Sequence, residues 1–112
     1  MHWDVFILKM DAPLSFDKLE NFNDNLPSLG SISEVRYKLL NILPELNWDS
    51  LYTASFTTNQ FSIDFSIDQE PHVSSIILAI TGDELPVQLI KSICNPYGWY
   101  ALEIDSNRYL NL

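Results

Sequence analysis

The sequence has few of the residues from which cofactor and nucleophile sites are usually built. It holds one cysteine, two histidines and three glycines among 112 residues. Because Cys94 has no partner for an internal disulfide, and small secreted domains usually carry several, the sequence predicts a reducing compartment. His2 and His72 lie far apart with no ligand-spaced partner, so we expect no bound metal. The isolated glycines form no phosphate-binding loop, and we expect no cofactor.

Long apolar runs and basic residues are also scarce. No stretch approaches the roughly 18 apolar residues that a membrane-spanning helix needs, and the short apolar segment near the N-terminus lacks the layout of a signal peptide. We therefore expect a soluble protein of the cytoplasm. Six basic residues oppose fifteen acidic ones, for a formal net charge of -9. Such a surface repels nucleic acid and anionic membranes, and it favours a basic protein as partner.

The sequence shows no catalytic motif. It has no G-x-S-x-G elbow, and Cys94 and His72 have no third residue at a spacing that suggests a triad. Fifteen acidic residues make the presence of a carboxylate pair uninformative. We therefore expect a protein that acts by binding and is not an enzyme.

The length fits one domain, spanning residues 1–112, and the hydropathy pattern of its first part predicts both a strand and a helix. Residues 3–10 are apolar on both faces, which indicates a strand buried in a sheet. Residues 14–30 have loose apolar spacing, typical of a loop with a short helix. Ser31 and Glu34 have the spacing of a helix-capping box, and a helical apolar stripe then continues until Pro44 ends it.

The rest of the chain is rich in predicted strands. These are residues 51–58, 61–68, 73–81 and 99–105, followed by a short last strand at 109–110. A second helix is predicted over residues 86–95, with Asp83 as its N-cap. The order β-α-β-β-β-α-β-β lacks the regular βα alternation of parallel sheets. It predicts an α+β fold in which an antiparallel sheet of five to six strands carries two helices on one face.

Alternation along the strands also predicts a polar sheet face. If the strands pair as expected, acids and small hydroxyls share the outward side: Thr53, Ser55, Thr57, Ser62, Asp64, Ser66, Asp68, Glu103 and Asp105. Clustered carboxylates focus negative potential, which suits a cationic partner, although an ordinary solvated sheet face explains the same pattern. With the adjacent loops included, the predicted partner-binding residues are Asp64, Asp68, Glu70, Asp83, Glu84, Glu103 and Asp105.

Several segments of residues 26–105 together resemble a set of small bacterial proteins. The segments read L-G-S at 29–31, E-V-R at 34–36, L-P-E-L-N-W at 43–48, F-S-I-D-F at 61–65, an apolar strand with paired serines at 74–80 and a tryptophan-containing strand at 99–105. Relatives often carry a glycine soon after the segment that ends at Trp48, where this chain has Leu51-Tyr52-Thr53.

Small acidic proteins of this kind are similar to the immunity proteins of contact-dependent growth inhibition and related polymorphic toxin systems. The resemblance implies an antitoxin that neutralises a cognate basic toxin domain, often a nuclease, by binding it in the cytoplasm. The alternative is an oligomeric ligand-binding or regulatory module, such as a homodimer, with Tyr52, Trp99 and Tyr100 lining a pocket or interface.

Overall fold

The computed structural model describes residues 1–9, 27–68, 73 and 75–111, and it shows the predicted α+β fold. In the described part, one antiparallel sheet has seven strands: β1 (His2–Lys9), β2 (Asn47–Trp48), β3 (Thr53–Thr57), β4 (Phe61–Ile67), β5 (Ile76–Gly82), β6 (Trp99–Glu103) and β7 (Arg108–Tyr109). Their order across the sheet is β2-β3-β4-β5-β1-β6-β7. The helices are α1 (Ile32–Ile42) and α2 (Val87–Cys94), followed by a 3-10 turn, Asn95–Tyr97. Most of the predicted loop over residues 14–30 lies outside the described residues.

The sheet contains one short strand that the sequence did not predict. Asn47 pairs with Ser55 and Trp48 pairs with Ala54, which makes β2 the neighbour of β3. Strands β2 to β5 then follow one another across the sheet in the order of the chain, as in a meander. In the turn between β3 and β4, the Thr58 hydroxyl accepts hydrogen bonds from two backbone N–H groups of the turn, which fixes the hairpin without a glycine.

Strand β1 lies inside the sheet and pairs with β5 on one side and β6 on the other. This position explains why its sequence is apolar on both faces, since each face is covered over part of its length. Val5, Ile7 and Leu8 are fully buried. The prediction of a buried strand at the start of the chain is therefore confirmed.

Both helices pack on the same face of the sheet, as predicted. The Ser31 hydroxyl accepts a hydrogen bond from the backbone N–H of Glu34 at 3.2 Å, which confirms the predicted N-cap of α1. Val35 and Leu39 of α1 and Ile90 of α2 lie in the main core. Among the described helices, neither combines the length and apolar character that a membrane crossing requires.

The prediction that Asp83 caps α2 is wrong. The backbone N–H of Asp83 donates to the carbonyl of Gln60 at 3.3 Å, so this residue still belongs to the end of the β4–β5 pair. The helix begins at Val87, and its N-cap position is Pro86, whose side chain makes no capping hydrogen bond. The acidic residues before α2 are consequently held in an exposed bend beside the sheet.

The sheet face opposite α1 and α2 is polar along one half. Because directly paired residues project to the same side of a sheet, the registers identify these side chains. We call this half the open face: His2, Asp4, Thr53, Ser55, Thr57, Ser62, Asp64, Ser66, Ala79 and Thr81, with Phe6 and Ile77 at its border. The other half is apolar, and it forms a second small core of Leu8 and Leu102 with Phe6, Tyr100, Ile104 and Tyr109.

Candidate functional site

Two carboxylates stand on the open face in one row across the sheet. Asp64 of β4 lies opposite Ala79 of β5, and Ala79 lies opposite Asp4 of β1. Two strand spacings therefore separate the backbones of Asp64 and Asp4 by roughly 10 Å. Asp64 is exposed and Asp4 is half-buried, while the single methyl group of Ala79 stands between them. Of these residues the sequence prediction included Asp64 and missed Asp4.

Hydroxyl and imidazole groups form the next row of the open face. The Nε2 atom of His2 lies 3.0 Å from Oδ1 of Asp4, which brings one ring nitrogen to that carboxylate. The other ring nitrogen, Nδ1, lies 3.5 Å from Oγ1 of Thr81. Farther along the row, the hydroxyls of Thr57 and Ser62 are 3.1 Å apart. In this row the polar groups are small and bonded to one another or to Asp4, whereas the carboxylate of Asp64 forms no hydrogen bond or ion pair with a described residue.

The opposite border of the open face carries an exposed apolar side chain. Ile77 of β5 is 39% exposed, although its strand is in the middle of the sheet. It lies opposite Ser66 on one side and Phe6 on the other, and it is two residues from Ala79 on the same face. An apolar side chain beside exposed carboxylates is the composition found at the centre and rim of protein interfaces.

The remaining predicted partner-binding residues lie around the open face or away from it. Asp68 is exposed directly after β4, and its backbone N–H donates to the carbonyl of Ser75 at 3.2 Å. Glu70 lies outside the described residues. Asp105 is exposed in the turn between β6 and β7. The structure therefore groups Asp64 with Asp4, and it separates Asp68 and Asp105 from that pair.

Asp83 and Glu84 line a cavity at the end of β5. Its volume is about 310 Å³, and its walls are formed by Gln60, Phe61, Asp83, Glu84, Leu85 and Pro86. Both acids are exposed, while the aromatic and aliphatic walls are half-buried. A basic side chain fits this arrangement, because its apolar stem contacts the walls while its charged end reaches the carboxylates.

Glu103 differs from the other predicted partner-binding residues because it is buried. It lies opposite Val5 and therefore faces the helix-covered core, which reverses the predicted facing of β6. The Nε–H of Arg108 donates to its Oε2 at 3.1 Å, and the Ser106 hydroxyl donates to the same oxygen. The carboxylate is already neutralised within the protein, so Glu103 is not part of the candidate surface.

The basic side chains near α1 contact aromatic rings and carbonyls instead of carboxylates. The guanidinium of Arg36 lies 4.2 Å from the centroid of the Trp48 ring and donates to the carbonyl of Leu51 at 2.9 Å. The ammonium of Lys38 lies 5.2 Å from the Tyr97 ring centroid. Among the described residues, four of the predicted partner-binding acids form no salt bridge: Asp64, Asp83, Glu84 and Asp105.

The aromatic residues of the alternative hypothesis do not line one pocket. Trp99 is buried on the helix-covered side, where its ring centroid is 5.0 Å from that of Tyr97. Tyr100, the next residue of the strand, projects to the opposite side and packs against Tyr109 with centroids 5.9 Å apart. Tyr52 packs against the main core.

The other candidate chemical groups are buried or dispersed. Burial raises the pKa of the Cys94 thiol to about 12, so the thiol stays protonated and unreactive near neutral pH. Within the described ranges, no three histidine, cysteine or acidic side chains are grouped as a metal site would require. The remaining candidates among the described residues are the exposed acids of the open face and its surroundings.

Comparison of the chain with protein-family models and with curated proteins gave no match. The candidate site is therefore defined by its own geometry. It consists of the open face with its two carboxylates, the exposed Ile77 at its border, and the acids at the surrounding turns.

Proposed function

We propose that the protein is an immunity protein that neutralises a basic toxin domain by direct binding in the cytoplasm. The observation that carries the proposal is the set of exposed carboxylates, Asp64, Asp83, Glu84 and Asp105, that form no salt bridge with a described residue. Together with the net charge of -9, they leave an excess of negative charge at the surface. A cationic protein surface is the complement of this charge.

A nuclease toxin offers such a surface. A protein that binds nucleic acid neutralises phosphates with lysine and arginine side chains, so its active face is cationic. An acidic protein that covers this face competes directly with the nucleic acid and is guided to it by long-range attraction. Neutralisation by occlusion requires binding alone and uses no catalytic group of the immunity protein.

The pairing of the strands beneath the open face favours a rigid docking surface. The open face is formed by β3, β4, β5 and β1, and each of these strands is paired with a neighbour on both sides. Side chains on paired strands need little ordering when a partner binds, which favours affinity. The exposed Ile77 supplies apolar area that a partner can cover.

The test uses the product of the reading frame adjacent to this gene in its genome. We expect its C-terminal domain to bind this protein, and co-expression of the two to restore growth that the domain alone arrests. Association should slow as salt rises, because screening weakens the steering. Asp64→Lys should lower the association rate by about tenfold at low salt and leave the unfolding midpoint nearly unchanged.

A charge reversal elsewhere provides the control. Glu45→Lys changes the charge by the same two units in the exposed turn after α1, away from the open face, and should reduce the rate less. The proposal fails if the adjacent product does not bind, or if its association is insensitive to salt and to Asp64→Lys.

A further inference from the structure

Asp64, Ala79 and Asp4 form one row across the open face, and their spacing indicates which chemical group of a partner protein would bind there. We propose that this row receives one arginine side chain of the partner protein, with the guanidinium between the two carboxylates. The inference rests on the proposed function and deepens it, because it names the chemical group that the open face recognises.

The spacing of the carboxylates fits a bridging guanidinium. Side chains stand nearly perpendicular to a sheet, so Asp64 and Asp4 keep approximately the separation of their backbones, roughly 10 Å. A guanidinium donates from two sides through bonds of about 2.8 Å, so it can reach carboxylates on either side of Ala79. A single metal ion requires each oxygen within about 2.6 Å of it, which this spacing does not favour.

Ala79 and Ile77 provide the apolar part of the contact. Ala79 leaves room above β5 because its side chain is a single methyl group, and Ile77 is exposed on the same face. An arginine lies along such a surface with its methylene groups on the apolar atoms and its charged end beside the acids. An exposed apolar patch or an exposed carboxylate alone is common on a sheet. Recognition of an arginine depends on the two being adjacent.

The charge of the row requires a cationic occupant. Covering Asp64 with a neutral apolar surface would bury an unpaired carboxylate, which costs several kcal/mol. Nucleic acid and anionic lipid add like charge to the same place. His2 already contacts Oδ1 of Asp4, which fixes that carboxylate in position for a second donor. A protein surface with a protruding arginine satisfies both carboxylates and covers Ile77.

A first experiment maps the row without the natural partner. Backbone amide NMR signals of the full chain are followed during titration with octa-arginine and with octa-lysine at low salt. We expect the largest shifts at Asp64, Ala79 and Asp4, and larger shifts with octa-arginine than with octa-lysine. Shifts centred on Asp83 and Glu84, or equal responses to the two peptides, would overturn the inference.

A second experiment uses variants with matched controls in binding to the adjacent gene product. Asp64→Asn removes one carboxylate, and Ala79→Ile fills the space while keeping a residue type that strands favour. Each should weaken binding by about tenfold, which corresponds to 1.4 kcal/mol. Glu45→Gln makes the same change in charge in the exposed turn after α1, and Ser33→Ile places the same side chain on the exposed side of α1, away from the open face. Both controls should weaken binding by less than threefold or so.

The outcomes separate this inference from the proposed function. If the gene product binds and neither Asp64→Asn nor Ala79→Ile weakens binding more than the controls do, the immunity function stands and the arginine contact is wrong. If the gene product does not bind, the proposed function fails, while the peptide titration still decides whether the row selects a guanidinium. Thermal unfolding of each variant shows whether a loss of binding reflects a loss of fold.

Discussion

Glu103 and Arg108 form an ion pair between neighbouring strands in which the two partners differ greatly in exposure. The Arg108 Nε–H donates to the Glu103 carboxylate at 3.1 Å, with side chains that are 63% and 8% exposed respectively. The base at the surface thus allows an acid to occupy a position that faces the core. A buried carboxylate with no such partner would be strongly unfavourable.

We expect Arg108→Ala to lower the free energy of unfolding by about 1–3 kcal/mol, because it leaves the Glu103 carboxylate with less compensation for its burial. Urea unfolding followed by tryptophan fluorescence measures the change. Lys9→Ala removes the same charge from an exposed end of β1 and serves as the control. Equal losses for the two variants would show that the pair has no special role.

Removal of the helix cap provides a second prediction. Ser31→Ala removes the acceptor for the Glu34 N–H at the start of α1 and should destabilise the protein by about 1 kcal/mol. Ser33→Ala, at an exposed position inside the same helix, should have almost no effect or a slightly stabilising one. Thermal or urea unfolding compares the two, and a loss as large for Ser33→Ala would contradict the capping role.

Gly82 lies where two segments of backbone approach closely. A methyl group placed on it would come within 2.5 Å of the carbonyl oxygen of Gln60 and 2.8 Å of the Cα of Phe61. Since backbone atoms cannot rotate away, Gly82→Ala should lower stability by about 1–3 kcal/mol. Denaturant unfolding provides the measurement.

Gly98 is a suitable comparison because its constraint is different. Its φ of 68° is left-handed, and no atom would lie within 4 Å of a Cβ added there, so a side chain has space but the backbone conformation is unfavourable for it. Gly98→Asn should therefore be tolerated better than Gly98→Ala, whereas Gly82→Asn should be as harmful as Gly82→Ala. If asparagine rescued position 82 instead, the close approach would not be the cause.

The buried thiol predicts a dependence of stability on alkaline pH. Burial raises the pKa of Cys94 from 9.0 to about 12. Above pH 9 the unfolded chain loses the proton that the folded chain retains, so stability falls by about 1.4 kcal/mol per pH unit until the folded thiol also ionises. Below pH 9 the thiol is protonated in both the folded and the unfolded state, so its contribution to the free energy of unfolding is fully present.

The measurement compares the native chain with Cys94→Ala across pH 8 to 10. The difference between their unfolding free energies should change with pH, while the titration of lysines and tyrosines cancels between them. The folded thiol should also resist alkylation at pH 8 and react once the chain is unfolded in urea. Rapid alkylation of the folded protein would contradict the burial of this group.

The sequence predicted those parts of the fold in which one face of an element differs clearly from the other. In β4, Ile63 and Phe65 are buried while Asp64 is exposed, as the alternation indicated. Ser31 likewise marked the start of α1, because its side chain acts within its own turn of chain. The local sequence was therefore sufficient to predict which side chains of β4 are buried and where α1 begins.

The facing of β6 could not be found in the same way. Its residues are apolar on both sides, because the strand packs against the main core on one face and the second small core on the other. Its facing is set by pairing with β1, which puts Glu103 opposite Val5. The contribution of Asp4 to the open face was missed for a related reason, since the apolar majority of β1 hid the alternation of His2, Asp4 and Phe6.

The central place of β1 determines how the chain must assemble. Residues 2–9 have their partners in β5 and β6, so most of the protein must be synthesised before this first strand can be enclosed on both sides. Until then its two edges and apolar side chains are open to water, and contacts between distant parts of a chain form slowly. Within the described sheet, β1 is the strand that joins β2–β5 to the pair formed by β6 and β7. Insertion of β1 between β5 and β6 therefore joins two parts of the sheet that are distant along the chain.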